Sequence, residues 1–525
     1  MNDWTEGYVA DHTYISNYFF LLSPTALRQR LLFSGMDFPS RCEGEPMRYL
    51  ELGYGQGLSL NIHAATDQEA EFWGTDFLPE QALSAKALSL EAGLGTRLLN
   101  YSFAELDTLA KAGRLPDFDI IVMHGIWSWI NEENQRHILN IIRTCLKPGG
   151  VIYVSYNAMP GRTSLLPLRK LMVIHSERKG AGKDSLTRAS EAATFVRSLT
   201  DADAAFFSNT PTCRRQAKNM ENQPPAYLAH EYLNQSWHTS YVTEVAKAMA
   251  SAEGYFLTSA NLLETVNAFQ PENTAEILNV MPDLLSREMI RSFNINQGFR
   301  TDIFIKKNVS FLDKEEHEAR LDGAFFAMKA PLNLANTLAI SLPLSEGTLD
   351  SKLYGPILEV LAENHYEPKS LAFLRTHPRL KEIEYEQLLF RLNILCSGGY
   401  IGLAQPAPSE KTRSACQRLN RIFCERATRA QETGHLVSPV LGCCISVTGY
   451  YLQFLQSYVN GREKPADWAK DVFTRFSDGK QASRETPKGR VTGLQAFQYE
   501  AENFKKNTLP YLLTMGVIPA ASGKN

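Results

Sequence analysis

The sequence lacks several features that would indicate a membrane span, a zinc site or a nucleic-acid interface. It has no run of about 20 apolar residues that would cross a bilayer. Its eight cysteines form no CxxC pair, so we expect no metal site and a reducing compartment. A net charge of −3 without a basic arm argues against nucleic acid as a partner. The acidic N-terminal segment has no apolar core of the signal-peptide type, and we expect a cytoplasmic protein.

What is present is an ordinary globular composition over 525 residues, long enough for two or three domains. In the first 160 residues strand and helix patterns alternate, which predicts a parallel α/β sheet. We assign residues 1–177 to this Rossmann-like core. The predicted strands are Met47–Leu52, Glu71–Asp76, Thr96–Tyr101, Phe118–His124 and Val151–Asn157, and the predicted helices are Leu58–Ala65, Pro79–Ala92 and Asn131–Leu146.

The pattern changes after this core. Residues 178–250 are polar and helical, which predicts an insertion or regulatory region. Strand alternation returns at Gly254–Ala260 and Phe299–Lys306, so we expect residues 251–310 to complete the same sheet. Residues 345–525 form a mainly helical C-terminal domain. Three helices followed by an extended arm at Tyr400–Pro406 fit either a winged helix or a plain helical bundle.

A glycine-rich turn, "ELGYGQGL", follows the first predicted strand and contains Gly53, Gly55 and Gly57. The dinucleotide fingerprint GxGxxG requires glycine where this chain has Leu58, which argues against NAD. A GxGxG turn preceded by the acid Glu51 suits a ligand without pyrophosphate, and methyltransferases that use S-adenosylmethionine have this pattern. Amides at a helix start also suit the carboxylate of that ligand.

Three further positions fit an adenosine ligand, and two of them also have a structural alternative. Asp76 ends the second strand, where a carboxylate accepts hydrogen bonds from ribose hydroxyls, and the alternative is a helix N-cap. Ser102 and Phe103 follow the third strand, where they would contact adenine, and the alternative for Ser102 is again a cap.

Ligands of open α/β sheets bind beyond the carboxyl ends of the strands, so the residues after strands four and five face the reacting group. These segments are "HGIWSWI" (His124–Ile130) and "YNAMPGR" (Tyr156–Arg162). The faces of Trp127 and Trp129 would attract a cation, and the alternative for each is core packing. The Asn/Asp-Pro-Pro-aromatic motif of nucleic-acid amino-methyltransferases is absent from strand four.

Several segments together resemble the bacterial methyltransferases that carry a methyltransferase regulatory region, a group that includes the rickettsial outer-membrane-protein lysine methyltransferases. The similarity covers residues 10–310 in order and rests on the following segments: "ELGYGQG", "FDIIVMHGIWSWI", "LKPGGVIYVSYNAMPG", "YLAHEYLN" and "FRTDIFIKK". The resemblance implies a class I S-adenosylmethionine-dependent enzyme, a homodimer, and added domains that frame the substrate cleft.

The resemblance also implies site residues. Those expected at the cofactor are Tyr14, Glu51, Gly53, Gly55, Gly57, Asp76, Phe77, Ser102, Phe103, His124 and Gly125. Those expected at the acceptor are Trp127, Trp129, Tyr156 and Asn157, with Tyr156 and Asn157 orienting an amine. Tyr18 is a further candidate to cover the cofactor. The chain departs from the family at Tyr54, usually cysteine, and at Arg162, usually tryptophan, where acceptor selection is expected to differ.

These observations leave three hypotheses for function. The first is N-methylation of lysine side chains in a protein substrate. The second is methylation of a small molecule or glycan, for which an O-acceptor would need a base such as His124. The third is a non-catalytic module that binds S-adenosylmethionine and a partner.

Overall fold

The computed structural model describes residues 7–12, 16–39, 45–307, 311–335, 337–476, 478, 482–487 and 489–519. After the helix α1 (Pro24–Phe33), strands and helices alternate as the sequence predicts. The alternating elements are β1 (Arg48–Leu52), α2 (Leu58–Thr66), β2 (Glu71–Thr75), α3 (Pro79–Glu91), β3 (Arg97–Leu99), α4 (Phe103–Lys111), β4 (Phe118–Met123), α5 (Glu132–Cys145) and β5 (Leu146–Asn157).

A helical region separates these elements from the last two strands of the sheet. Its five helices are α6 (Leu165–Lys179), α7 (Ser185–Asp201), α8 (Ala205–Asn209), α9 (Pro211–Met220) and α10 (Pro225–Tyr232), and they bury a small apolar core of their own. The chain then continues as α11 (Val242–Ser251), β6 (Gly254–Ser259), α12 (Leu262–Thr265), α13 (Ala275–Val280), α14 (Leu284–Asn294) and β7 (Phe299–Lys306).

The seven strands form one sheet in the order β3-β2-β1-β4-β5-β7-β6. Strands β1 to β5 are parallel, whereas β7 pairs antiparallel with both β5 and β6. Apolar cores lie on its two faces because the central strands are buried on both sides. The sheet confirms the predicted class I methyltransferase fold and the expectation that the two late strands close it.

The border between α5 and β5 differs from the prediction. We predicted that the helix reaches Leu146 and that the strand begins at Val151, with "LKPGG" between them. Instead α5 ends at Cys145, and Leu146 already pairs with Phe118 of β4. The register shifts between Phe118 and Ile120, so the Pro-Gly segment is an irregular start of β5 rather than a separate turn.

We expected the C-terminal region to begin at residue 345. In the structure it begins earlier along the chain. Its first unit contains α15 (Lys314–Asp322), β8 (Phe325–Met328), α16 (Leu332–Ala335), β9 (Ala339–Ser341), β10 (Glu346–Thr348), α17 (Ser351–Tyr366), β11 (Lys369–Ser370), α18 (Leu371–Thr376), α19 (Tyr385–Ser397) and β12 (Ile401–Ala404). Three of its strands form an antiparallel sheet in the order β11-β8-β12. Because β8 is the central strand, the residues before 345 belong to this unit.

This unit combines the three predicted helices with a small sheet, so it is not a plain helical bundle. The predicted arm is β12, but β12 pairs with β8, which precedes the helices. In a wing, the arm would instead pair with a strand that follows it. Within the residues that the structure describes, no later strand joins this sheet.

A last unit packs against helices α2 and α3 of the methyltransferase domain. It contains α20 (Glu410–Arg426), β13 (Thr433–Ser438), β14 (Cys443–Thr448), α21 (Gly449–Val459), α22 (Pro465–Arg475), β15 (Ser483–Thr486), β16 (Gly489–Thr492), α23 (Gly493–Asn503) and α24 (Leu509–Thr514). Helix α20 lies on α2, where Cys416 Sγ donates to the carbonyl of Ala65 and Arg418 Nε donates to that of Ala92. Among the described helices, none is both long enough and apolar enough to cross a membrane.

Candidate functional site

The glycine turn joins β1 to α2 in a conformation that favours glycine. Gly53, Gly55 and Gly57 have φ angles of 76°, 59° and 72°, in the left-handed region. A Cβ on Gly53 would lie 2.2 Å from Cδ1 of Ile126, and a Cβ on Gly57 would lie 2.5 Å from Cβ of Ala85. The turn therefore brings bare backbone to the floor of a cavity of about 320 Å³.

Asp76 follows β2 and faces this cavity. Its carboxylate accepts hydrogen bonds from the backbone N–H groups of Gly55 at 2.9 Å and Leu78 at 3.0 Å. With its amide nitrogen turned toward the carboxylate, Gln81 donates to both oxygens at 3.1 and 3.2 Å. Burial raises the pKa of Asp76 to about 6, against the effect of the two backbone donors. The residue therefore ties the glycine turn to the start of α3 and lines the cavity as well.

Glu51 is a second carboxyl group in the same cavity wall. It is 4% exposed, and its Oε2 has no hydrogen-bond partner within the described part of the chain. Burial, with a smaller effect of the nearby Asp76, raises its pKa to about 8. A buried carboxyl oxygen without a partner is costly, so this position is suited to a ligand that supplies a donor or a positive charge.

A smaller cavity of about 90 Å³ adjoins the first one and is lined by Phe77, Ser102 and Phe103. Ser102 is the N-cap of α4 in a capping box with Glu105, whose side chain accepts from the Ser102 backbone N–H at 2.8 Å. The capping alternative for Ser102 is therefore correct, and its side chain also borders the cavity. The two cavities share Tyr8, Gly53, Asp76, Gln81, Gly125, Ile126 and Trp129.

His124 and Gly125 lie at the end of β4, as expected, and both line the larger cavity. The His124 ring is 4.2 Å from that of Phe19, and its Nδ1 lies 3.1 Å from the Tyr153 hydroxyl. Burial lowers the pKa of His124 to about 4, so the imidazole is neutral at pH 7. The Gly125 N–H donates to Ser155 Oγ at 2.8 Å, which holds this turn against β5.

The two tryptophans after β4 have different surroundings. Trp129 lines both cavities. Trp127 is 3% exposed and packs in the apolar core between the sheet and its helices. The structure thus brings Trp129 to the site. It places Trp127 in the core, and core packing was the alternative that we gave for both tryptophans.

Tyr156 and Asn157, predicted to orient the acceptor, do not line either cavity. Tyr156 is fully buried, and its hydroxyl donates to Asp302 Oδ2 at 2.6 Å, within a network that includes Arg300. Asn157 is also fully buried, and neither atom of its amide has a hydrogen-bond partner among the described residues. We correct the prediction for Tyr156: its strand position turns the ring into the core, away from the cavity.

We therefore expect replacement of Tyr156 by phenylalanine (Y156F) to affect stability rather than turnover. Losing a buried hydrogen bond to a carboxylate costs about 2 kcal/mol of unfolding free energy. The methyltransferase kcat should stay within about twofold of wild type, because the hydroxyl does not reach the cavity. Urea unfolding and initial rates test this, with the exposed Tyr255 (Y255F) as the control. A large loss of kcat at unchanged stability would return Tyr156 to the mechanism.

The lead-in segment before α1 also contributes to the site. Ser16, Asn17 and Phe19 line the larger cavity. Tyr18 instead packs between His63 and His435, at ring-centre distances of 5.7 and 6.0 Å, against the C-terminal unit. Tyr14 lies outside the described residues.

Helix α10 supplies a wall of the cavity that the sequence interpretation missed. Its lining residues are Tyr227, His230, Glu231 and, just after the helix, Asn234. Their spacing of i, i+3, i+4 and i+7 places them on one helix face, and this polar periodicity within "YLAHEYLN" was the available signal.

Arg162 pairs with the acid on this wall. Its Nη1 lies 3.4 Å from Glu231 Oε1, and its Nε donates to the carbonyl of Gly298 at 2.9 Å. Glu231 is 6% exposed, and burial raises its pKa against the opposing effect of Arg162. Arg162, at which the chain is expected to depart from the family, is thus part of the cavity lining.

These groups fit S-adenosylmethionine by their chemistry. The unpartnered Glu51 oxygen suits a cationic donor, and the Asp76 carboxylate suits hydroxyl groups. The glycine turn leaves space that a Cβ would fill, and the aromatic faces of Phe19 and Trp129 attract a positive charge. Among the described residues, no group of three or more His, Cys, Asp or Glu side chains is arranged to hold a metal ion.

Comparisons with known proteins agree with this geometry. Residues 50–152 match the family model of a methyltransferase domain, and residues 224–306 match that of a predicted methyltransferase regulatory domain. The chain is 31% identical over 523 residues to an uncharacterized protein of Synechocystis sp., covering 98% of this chain and 99% of that protein. An uncharacterized protein of Rickettsia prowazekii is 29% identical over 192 residues, or 36% of this chain and 74% of that protein.

A solved structure shares the fold over nearly the whole chain. PKMT2 from Rickettsia typhi, in complex with AdoHcy, superposes with a TM-score of 0.68 over 96% of this chain and 99% of that one, at 20% identity. The chain therefore belongs to the class I S-adenosylmethionine-dependent methyltransferases that carry a methyltransferase regulatory domain.

Proposed function

We propose that this methyltransferase N-methylates lysine side chains of a protein substrate. The observation that carries the proposal is Glu231, a buried carboxyl group with a raised pKa that lines the same cavity as the glycine turn. With Glu51 and Asp76, it gives the cavity wall three carboxyl groups, and Arg162 is the one arginine or lysine among the lining residues that the structure describes. Such a wall attracts a cationic acceptor such as a lysine ammonium group.

We propose the following roles for the cavity residues. Glu51, Asp76 and the three glycines of the turn hold the cofactor, with Phe77, Ser102, Phe103, His124 and Gly125 around it. Trp129 and the α10 wall contact the acceptor. When bound, S-adenosylmethionine supplies an electrophilic methyl group on a sulfonium centre.

An amine acceptor must lose a proton before it attacks, since lysine has a reference pKa of about 10.4. Glu231 accepts that proton, because its raised pKa makes it a better base than an exposed glutamate. The amine lone pair then forms the new N–C bond, and the electron pair of the broken C–S bond remains on sulfur. Holding the amine in line with that bond supplies several kcal/mol of the rate enhancement.

A hydroxyl acceptor fits this cavity less well. It would need a strong base, and the candidate was His124. With a pKa near 4, the His124 imidazole removes a hydroxyl proton poorly. Methylation of a small molecule or glycan is therefore the alternative outcome of the test below.

The first experiment offers tritiated S-adenosylmethionine and the full chain to a lysate of the host, separated into protein, glycan and small-molecule fractions. We expect label in a protein band, recovered as methyl-lysine after hydrolysis. Label confined to a non-protein fraction would contradict the proposal and favour the alternative acceptor. A heat-inactivated sample is the control for non-enzymatic labelling.

We also propose that the protein acts as a cytoplasmic homodimer. The family resemblance supports the dimer. The seven cysteines within the described residues are free and buried, which suits a reducing compartment. Light scattering coupled to size-exclusion chromatography tests the dimer, and a mass of 58.9 kDa would contradict it.

Glu51 makes cofactor binding depend on pH. With a pKa of about 8, it is mainly protonated at pH 7 in the free protein, and a cation beside it favours ionisation. We therefore expect binding of S-adenosylmethionine to release nearly one proton at pH 7, and its affinity to rise as the pH approaches 8. Titration calorimetry in buffers of different ionisation enthalpy measures this release, which Glu51→Gln should abolish and the exposed control Glu69→Gln should retain.

The same shift predicts the sign of a stability effect. The pKa of Glu51 in the folded protein exceeds the usual value of 4.5, so folding favours its protonated form. This contribution to stability is complete below pH 4.5 and is lost as the pH rises through 8. The assignment would be contradicted if the cofactor-free protein became more stable between pH 6 and pH 8.5 and the E51Q variant showed the same pH dependence as the wild type.

A further inference from the structure

A second cavity lies beside the cofactor cavity and has no role in the proposal above. It has a volume of about 740 Å³ and shares Tyr8 and Asn234 with the first cavity. The wall between them is the N-terminal segment of residues 7–11, which is anchored on the chain that follows α10. Val9 N–H donates to Asn234 Oδ1 at 2.8 Å, and Gln235 N–H donates to the carbonyl of Gly7 at 2.9 Å.

Two arginines from α6 and α7 line this second cavity, and no carboxylate among the described residues balances their charge. Arg169 Nη2 donates to the carbonyl of Asn234, and its guanidinium lies 5.2 Å from the Trp237 ring centre. Its Nε is buried without a hydrogen-bond partner in the described part of the chain, and so is Nε of Arg188. Within the described residues, neither arginine forms an ion pair with a carboxylate. Burial lowers the pKa of Arg169.

The acids on the same lining do not supply the missing partner. Asp11 accepts the backbone N–H of Ser185 at 2.8 Å instead. Glu177 lies at the exposed edge of the cavity and takes part in no ion pair among the described residues. A partly buried guanidinium without a counter-ion is unfavourable, and binding an anion removes that cost.

We propose that this arginine-lined cavity binds the carboxylate of an acidic side chain that lies near the methylated lysine in the protein acceptor. The inference rests on the proposed lysine methylation. The two cavities share Tyr8 and Asn234, so the two arginines lie next to the cavity that would hold the methylated lysine. Planar guanidinium groups match carboxylates by paired hydrogen bonds, whereas Asp11 and Glu177 disfavour a doubly charged phosphate.

The experiment uses the full chain, saturated with AdoHcy, and fluorescein-labelled ten-residue peptides with one lysine and an amidated C-terminus. A single glutamate is placed at each position in turn, and each peptide has a glutamine counterpart. By fluorescence anisotropy, we expect glutamate at one spacing to bind about tenfold more tightly than glutamine. A glutamate-free peptide with a free C-terminal carboxylate tests the other source of this group, and equal binding by that peptide would overturn the assignment to a side chain.

Variants separate the site from general charge effects. Arg188→Gln should abolish the preference for glutamate, Arg188→Lys should retain part of it, and the exposed Arg178→Gln on α6 should retain all of it. No preferred spacing, or a preference that persists in R188Q, would overturn the inference.

Methyl transfer to the same peptides distinguishes this inference from the proposed function. Methylation of lysine without any preference for an acidic neighbour would reject the arginine site and leave lysine methylation standing. Tight binding of the glutamate peptides without methyl transfer, by contrast, would leave the site standing and reject lysine as the acceptor.

Discussion

Replacement of Glu231 by glutamine (E231Q) is expected to lower kcat at pH 7 by about 100-fold, which is the usual loss when a general base is removed. The amide keeps the size and hydrogen-bonding capacity of the side chain but cannot take the acceptor proton. Affinity for S-adenosylmethionine should change by less than about twofold, because the proposed cofactor contacts come from the glycine turn, Glu51 and Asp76. Initial rates and titration calorimetry on the same preparation measure the two quantities.

The pH profile makes this prediction specific to proton transfer. At high pH more of the acceptor amine is neutral, so the difference between E231Q and wild type should shrink as the pH rises toward 10. A purely structural loss would stay constant across that range. Glu221→Gln, an exposed change in the same helical region, is the control and should retain the wild-type kcat. An E231Q enzyme with wild-type kcat at pH 7 would remove Glu231 from the mechanism.

The second large effect is expected from alanine at Gly57 (G57A), which should lower the unfolding free energy by about 3 kcal/mol. Left-handed backbone costs a residue with a Cβ about 1–2 kcal/mol. The new methyl group would also lie 2.5 Å from Cβ of Ala85, so α2 and α3 must move apart, and overpacking of this kind costs a further 1–3 kcal/mol. Urea unfolding of the cofactor-free protein measures the change.

Gly55 provides a matched control for this substitution. It has a similar φ of 59°, but the nearest atom to a Cβ there belongs to the side-chain amide of Gln81, 3.8 Å away. Alanine at Gly55 (G55A) should therefore show only the backbone cost, about 1 kcal/mol. If G57A and G55A destabilise the protein equally, the contact between α2 and α3 does not explain the glycine at 57.

Much of the cofactor side of the site was predictable because its geometry is local. Gly53, Gly55 and Gly57 lie in one strand-to-helix turn, whose positive φ angles depend on neighbouring residues. Asp76 ends the adjacent strand, and parallel strands bring their carboxyl ends to one edge of the sheet. For Ser102, the sequence could not choose between a ligand contact and a cap, because a serine before a helix is suited to both roles.

The acceptor side was less predictable because it depends on which way side chains turn after a strand ends. Trp127 and Trp129 are two residues apart in one irregular turn, yet one is in the core and the other in the cavity. Tyr156 lies in the buried part of β5, residues 150–157, where residue type does not indicate which face a ring occupies. Its partner Asp302 on β7 comes 146 residues later, beyond the reach of any local pattern.

The sequence by itself determined the alternating strands and helices, the glycine turn and the carboxylate at the end of β2, since hydrophobic periodicity and turn chemistry act over a few residues. Only the tertiary structure decided that α10 forms a wall of the cavity, that Arg162 meets Glu231, and that two arginines with no acidic partner among the described residues lie next to the cofactor cavity. The physical reason is that these contacts join segments far apart in the chain. Their approach is set by the packing of whole helices against the sheet, which no short stretch of sequence encodes.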